Sequence, residues 1–565
     1  MLAIPRARGL VVAALVFGAG LVAAPVEAQP VPAGYSYSHG WFDSFDGTQL
    51  HAGVFLPSNR TPEEKHPVIL VSTPYTSPNG GSGGPNLTGP MVRFPELFTR
   101  PSFKDGRYAY VQVDVRGFGG SEGCFEYYMP NEQKDVKVAV QWAAAQPWST
   151  GKVGMWGKSY DAAQQVLALG SDPSGLAASV IQSPGLSAYT ALWMNGVHYA
   201  TGRYATTGAY TADDLLAPQN QDTIGSPEYA AAAASPVTSI PGNPTCRADA
   251  IAGMNAIRDR DDPFWQAKEA YWLAAGSDVP VFWSHGFYDA NTKPVHMDIW
   301  ESLTGPNQAW FGQYTHLRGH ENGVGRDGFL DEAFRFLDEH MRGIEPATAD
   351  PTVTVQEGSR DGLWRAEEQW PPTDAQTWSM PLRAGSYVDE PGNTAGGSSA
   401  GQGLWAVTPP IPNAAHLAGE SALTVALATA VPNVNLVAHL YDIDDSGRAT
   451  FVQRGAMAPE AMGAQQVSFR LYPQDWYFEA GHRIGILLSG SDDDWFSPGV
   501  SQTTVQVTGG RLELPLLRYI RDEFLDGGAS DGMSAEAAFN VPAATLQSAT
   551  VQSEPPPAQQ PRPEP

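Results

Sequence analysis

The chain changes rhythm for good near residue 345, and that change limits its fold more than any other feature. From Tyr35 to about Arg342 short apolar runs alternate with helical stretches; after Pro351 strand follows strand, with Gly, Pro and Asn turns between them. The first pattern belongs to a mostly parallel sheet covered by helices, because parallel neighbours need a long crossover, usually a helix. The second belongs to an antiparallel β-sandwich. In the first half the strand runs begin at His66, Tyr108, Lys152, Ala178, Val279 and Gln308. Glu132 to Ala145 and Asp327 to Met341 carry helical patterns, the second with Phe329, Leu330, Phe334 and Leu337 on one side. Residues 35–186 and 277–345 are therefore assigned to an α/β domain, and residues 351–525 to a β-sandwich.

Residues 187–276 break the strand rhythm and are rich in Ala, Tyr, Trp and Met. They read as a mainly helical cap inserted between late strands, where it would overhang a pocket. Pro391 to Gly403 reads as a flexible loop, and residues 547–565, with Pro-Pro-Pro and Gln-Gln, as a disordered tail. At the other end, Arg6 and Arg8 precede an apolar run from Gly9, and Val26-Glu-Ala28 places small residues at −3 and −1 of a cleavage site. Residues 1–28 thus read as a signal peptide, and the mature protein as secreted or periplasmic with no membrane anchor. The formal net charge of −26 repels phosphate backbones, so nucleic acid is excluded as a partner. The two cysteines, Cys124 and Cys246, fit either one disulfide or two buried thiols.

One junction carries chemistry. Gly157-Lys-Ser159-Tyr160-Asp161 follows a strand and runs directly into a helical stretch, Ala162 to Leu169. A serine at such a turn has its hydroxyl lifted out of the sheet. The alcohol is protonated at neutral pH, so it needs a histidine to take its proton and a carboxylate to hold that imidazole. Asp289 closes the strand that begins near Val281, and His316 follows the strand that ends near Gly312, so the chain order is Ser, Asp, His. Ser159, Asp289 and His316 are the expected catalytic triad of an α/β-hydrolase. His320 is the competing base, His285 reads as a packing group or a support to the acid, and His296 falls in the helix expected after Asp289. Asp442-Ile-Asp444-Asp-Ser-Gly447 resembles the start of a calcium loop, but Gln453 stands where the closing glutamate belongs, so it reads as a hairpin turn. No metal and no cofactor are expected.

These residues resemble the cocaine esterase and X-prolyl dipeptidyl peptidase family, which includes α-amino acid ester hydrolases. Its motif G-x-S-Y-x-G is met by Gly157, Ser159 and Tyr160, with Ala162 in place of the last glycine. Asp114-Val-Arg116-Gly117 with Gly120-Ser-Glu122-Gly123, Gly286-Phe-Tyr-Asp289 and Gly312-Gln-Tyr-Thr-His316 are similar to further family segments. So are Gly358, Trp364-Arg365, Trp370-Pro-Pro372 and Gly481-His-Arg-Ile484 in the second half. The resemblance implies a jelly-roll C-terminal domain and an oxyanion hole made by the Tyr75 hydroxyl, in Thr73-Pro-Tyr75, and the Tyr160 N–H. It also implies a small ester, amide or peptide substrate.

The substrate pocket is less legible. A free α-amino group would need carboxylates, for which Asp161 and Asp213-Asp214 are candidates. Trp193, Met194, His198 and Tyr199 suggest an aromatic wall for an acyl or aryl group. The leading reading is a secreted serine hydrolase of esters or amides, with an X-Pro dipeptidyl aminopeptidase second and a non-catalytic binding protein third.

Overall fold

A computed structural model describes residues 31–75, 92–125, 127–128, 130–200, 253–269, 271–295, 297–392, 401–492, 495–535 and 538–563. Residues 1–28, Asp213, Asp214, Cys246, His296 and most of the expected cap lie outside them. In the first half ten strands form one sheet: β1 (Tyr35–Asp43), β2 (Gln49–Pro57), β3 (His66–Thr73), β4 (Ala109–Asp114), β5 (Ser149–Lys158), β6 (Leu176–Gln182), β9 (Val281–Gly286), β10 (Asn307–Gly312), β11 (Val353–Gln356) and β12 (Trp364–Glu367). A two-stranded hairpin, β7 (Trp193–Met194) and β8 (Val197–His198), stands apart from it. The spatial order is β1-β2-β4-β3-β5-β6-β9-β10-β11-β12. Every neighbouring pair from β4 to β11 is parallel, and the pairs at the two edges are antiparallel.

The parallel strands are apolar on both faces because both are covered. Val68 and Leu70 of β3 point into a cluster with Val136 and Val140 of α2 (Pro130–Ala144) and Leu167 of α3 (Tyr160–Ser171). Ile69 and Val71, the alternate residues, pack with Phe334 and Leu337 of the helix Phe329–Arg342 on the other face. The expected helices are thus present, at Pro130–Ala144 and Phe329–Arg342.

Beyond Ala375 a seven-stranded and a five-stranded antiparallel sheet face each other over a shared apolar core. The loop from Asp442 is a tight hairpin between strands Leu436–Ile443 and Arg448–Met457, with Asp444 Oδ1 accepting the N–H groups of Ser446 and Arg448. The sandwich begins later than residue 351, however. β11 and β12 extend the first sheet, parallel and then antiparallel, so the two domains share a strand pair instead of a linker. At the seam Arg365 of β12 forms a two-pronged pair with Asp475 of the sandwich at 2.8 and 2.6 Å. Burial alone would raise the Asp475 carboxyl, but Arg365 and His416 hold it below its ordinary value.

The tail also departs from expectation. Ala543–Ala549 is a helix, Val551 is buried in the sandwich core, and the Val551 N–H bonds Val407 O at 2.9 Å. Trp378 Nε1 donates to Glu554 O, and Arg562 pairs with Glu367 at 2.8 Å. Proline has no N–H to satisfy and its φ is already fixed, so a Pro-rich segment can dock in extended form where it cannot fold alone.

Candidate active site

The C-terminal ends of β3, β5, β9 and β10 point the same way, and the candidate residues follow those ends directly. Tyr75 lies two residues beyond β3, Ser159 one beyond β5, Asp289 three beyond β9 and His316 four beyond β10. Parallel sheets gather their functional groups at this edge.

Ser159 joins β5 to α3 with no loop between them. Its backbone takes φ 66° and ψ −126°, a strained conformation for a residue with a Cβ. The Ser159 carbonyl accepts the first helical N–H groups, from Ala162 and Ala163, while its hydroxyl makes no cap bond to the helix. That hydroxyl instead lies 3.0 Å from the Tyr75 hydroxyl. The Tyr160 N–H points at the same Tyr75 oxygen, 3.4 Å away. Two donors thus converge beside Ser159 Oγ. The Tyr160 side chain turns the other way and donates to buried Glu132 at 2.6 Å.

His316 Nδ1 lies 2.8 Å from Asp289 Oδ2, which leaves Nε2 for other work. Asp289 is fully buried and well supplied: Oδ1 accepts the N–H groups of Asn291 and Thr292 at 2.8 and 3.0 Å, and Oδ2 accepts the Thr292 hydroxyl at 2.8 Å. Burial pushes the Asp289 carboxyl up, but His316 and His285 outweigh it and hold it well below its ordinary value. For His316 burial prevails over the pull of Asp289, so the imidazole sits below its ordinary 6.5 and is neutral at neutral pH. Gly286 makes this meeting of strands possible, since a Cβ there would lie 2.0 Å from Tyr314 O on the histidine side.

The structure brings Ser159, Tyr75 and the Tyr160 N–H together, and His316 with Asp289. His320 makes no contact with Asp289. His285 Nε2 lies 3.4 Å from Asp289 Oδ2, beside the carboxylate on the side away from solvent. The pocket expectations fare differently. Asp161 is fully buried and paired with Arg93 at 2.8 Å, so it presents no carboxylate to a ligand. Trp193, Met194 and Tyr199 line a cavity of about 210 Å³ between cap and sandwich, whose lining includes neither Ser159 nor His316 nor Tyr75. Tyr199 stacks on Phe496 of the sandwich at 5.3 Å, and His198 packs edge-on against Trp193. Tyr199 thus ties the described part of the cap to the second domain. Cys124 is disulfide-bonded.

Sequence reading missed Arg93, Thr292, Glu132 and Lys293, all close to these groups. None stands in a recognisable motif, and each earns its place only through the fold.

Residues 46–318 match the X-Pro dipeptidyl-peptidase (S15 family), and residues 346–523 match the X-Pro dipeptidyl-peptidase C-terminal non-catalytic domain. The chain belongs to this family. It is a serine hydrolase. A Mycobacterium bovis protein provisionally named a serine esterase is 22% identical over 624 residues, covering 87% of this chain and 97% of that one. A Bacillus cereus protein provisionally named an Xaa-Pro dipeptidyl-peptidase is 23% identical, covering 73% of this chain and 76% of the other. In fold, this S15 family member is similar to a CocE/NonD family hydrolase from Staphylococcus aureus, with a TM-score of 0.65 at 16% identity over 85% of this chain and 93% of that one. No helix among the described residues is long and apolar enough to cross a membrane.

Proposed function

We propose that the chain is an exported acyl hydrolase that cleaves carboxylic esters or amides through an acyl-Ser159 intermediate. Ser159 Oγ attacks the substrate carbonyl and gives its proton to His316 Nε2, while Asp289 on Nδ1 holds the tautomer and stabilises the imidazolium. The carbonyl oxygen, now negative, lies between the Tyr75 hydroxyl and the Tyr160 N–H. Collapse returns the proton from His316 to the leaving alcohol or amine. Water, deprotonated by the same histidine, then hydrolyses the acyl-enzyme and restores the Ser159 hydroxyl. The observation that carries this reading is the 3.0 Å contact between the Tyr75 hydroxyl and Ser159 Oγ, with the Tyr160 N–H aimed at the same point. Export is supported by the N-terminal basic and apolar pattern and by the disulfide at Cys124.

The S15 match and the name of the Bacillus cereus relative support a second reading, release of X-Pro dipeptides. That reaction needs a carboxylate for the substrate ammonium. Asp161 is spent on Arg93, and Asp213 and Asp214 lie outside the described residues. Three substrates decide between the readings: p-nitrophenyl butyrate, phenylglycine methyl ester and Ala-Pro p-nitroanilide, each with the wild type and with Ser159→Ala. Cleavage of the esters without the anilide is expected, with all turnover and all fluorophosphonate labelling lost in Ser159→Ala. Preference for the anilide establishes the peptidase, and full activity in Ser159→Ala overturns the mechanism.

A further inference from the structure

Asp161 is the residue after Tyr160, on the first turn of α3, and its side chain is sealed from solvent. A buried carboxylate costs several kcal/mol unless it is paired, so what it pairs with shows its use. Arg93 Nε donates to Asp161 Oδ2 at 2.8 Å. The same guanidinium lies over the Tyr75 ring, with Cζ 4.2 Å from the ring centroid. The Thr73 hydroxyl accepts the Tyr75 N–H at 3.1 Å. Asp161 therefore reaches Tyr75 through the guanidinium that covers its ring.

Arg93 is itself fixed on both sides. Its N–H donates to Gln112 Oε1 of β4 at 3.0 Å, and its carbonyl accepts Arg318 Nη2, two residues beyond His316, at 3.3 Å. A planar guanidinium can bond a carboxylate through one edge and stack an aromatic ring on its face; a lysine ammonium can do only one of these at a time. Tyr75 turns about two side-chain torsions, and an oxyanion donor must stand within a few tenths of an ångström of its place to be effective.

We propose that Asp161 is a positioning residue for the oxyanion hole: through the Arg93 guanidinium it sets the place of Tyr75. One donor of the hole is thereby tied to the helix whose first N–H is the other. Tyr160 and Asp161 are consecutive, so any shift of α3 moves the backbone donor and the tyrosine support together. The role of Asp161 in the nucleophile motif is to build the site from below; it does not greet a substrate amine. This inference rests on the reading of Ser159, Tyr75 and Tyr160 given above.

A mutant cycle tests it. The paired variant Asp161→Asn/Arg93→Gln leaves no buried charge alone, and it is compared with Tyr75→Phe and with the triple variant on p-nitrophenyl butyrate. Tyr75→Phe should lower kcat by about 10²-fold, as loss of one oxyanion donor does. The paired variant should lower kcat about 10-fold with KM within about twofold, and in the Tyr75→Phe background should cost less than about twofold, because its effect passes through Tyr75. The same cycle read as the rate of fluorophosphonate labelling needs no turnover. Equal losses in both backgrounds, or wild-type kcat in the paired variant, overturn the proposal. Ser159→Ala runs alongside: if it stays active the hydrolase reading fails and takes this inference with it, whereas an inert Ser159→Ala with an additive cycle removes only the positioning role. Should the paired variant not fold, Arg93→Lys carries the same cycle, because the ammonium keeps a charge for Asp161 but cannot also cover the Tyr75 ring, with the same two outcomes.

Discussion

The Thr292 hydroxyl stands 2.8 Å from Asp289 Oδ2, the oxygen that also receives His316 Nδ1. Asp289 begins the turn that Thr292 ends, so the acid orders its own loop while it holds the histidine. Thr292→Val keeps the shape and removes one donor from a buried carboxylate. It should lower kcat/KM by about 10-fold, at the low end of the roughly 1.5–3 kcal/mol that a hydrogen bond to a charged group is worth. Thr292→Ser should stay within about twofold. Equal activity in the two variants, measured by steady-state kinetics, would count against a role for the hydroxyl.

Attack by Ser159 requires neutral His316. Burial depresses this imidazole below its ordinary 6.5, and Lys158, next to the nucleophile, pushes it the same way while Asp289 opposes. The acid limb of kcat/KM should therefore lie below pH 6.5, with a plateau through neutrality. Lys158→Met removes one of the depressing charges and should move the limb upward. A limb that moves down, or does not move, would show that Lys158 exerts no field at His316.

Lys293 is a buried ammonium whose partners are the carbonyls of Ala191 and Asn291 and the Tyr199 ring. It links the acid loop to the cap helix α4 (Ala188–Leu192) and to the aromatic seam. Burial lowers it to about 7, with Asp289 pulling back. An unfolded lysine titrates near about 10.4, so between the two values the unfolded chain holds the extra proton and folding gains as pH rises. Below about pH 7 the cost of the buried charge is present in full. The melting temperature of the wild type should thus gain on that of Lys293→Met from about pH 7 to about pH 10. A pH-independent gap between the two would mean that Lys293 is charged throughout.

The tail shows where sequence reading stops. Removing residues 551–565 takes away buried Val551 and the bonds at Glu554, Gln560 and Arg562. The loss of one buried valine and a few hydrogen bonds should cost about 2–4 kcal/mol of sandwich stability while leaving kcat at 25 °C near wild type. Differential scanning calorimetry and limited proteolysis read the first, esterase assay the second. Unchanged melting would mean that the tail does not dock.

The parallel strands from His66 onward and the turns after them where Ser159, Asp289 and His316 stand are local facts, written in runs such as Val281–Gly286 and readable one window at a time. The edge strands β1 and β2 and the order of strands across the sheet are not. Composition alone spoke for the tail, and Pro and Gln do say that such a segment has no core of its own; they are silent about a groove supplied by Val407 and Trp378. Asp161 failed for the same reason. Its partner Arg93 lies 68 positions away and becomes visible only when β3, β4 and α3 meet. The start of the sandwich was misplaced because β11 and β12 have the strand character of the second half but pair with the first.

The nucleophile motif itself gives the last test, because its two small residues have opposite constraints. At Gly157 a Cβ would lie 2.5 Å from the backbone carbonyl of Asp161, and α3 begins too soon after β5 to move aside. Gly157→Ala should therefore displace the turn and abolish activity, with a clear loss of melting temperature. Ala162 stands where the family resemblance expects glycine, yet its methyl is fully buried in a cluster with Val166 and Ile181. The departure fills space and does not crowd the serine. Ala162→Gly should cost about 1–2 kcal/mol through helix propensity and lost packing, and leave kcat within about twofold. If Ala162→Gly instead raises kcat several-fold, the methyl is restraining the Ser159 turn, and the motif departure is a brake on the site.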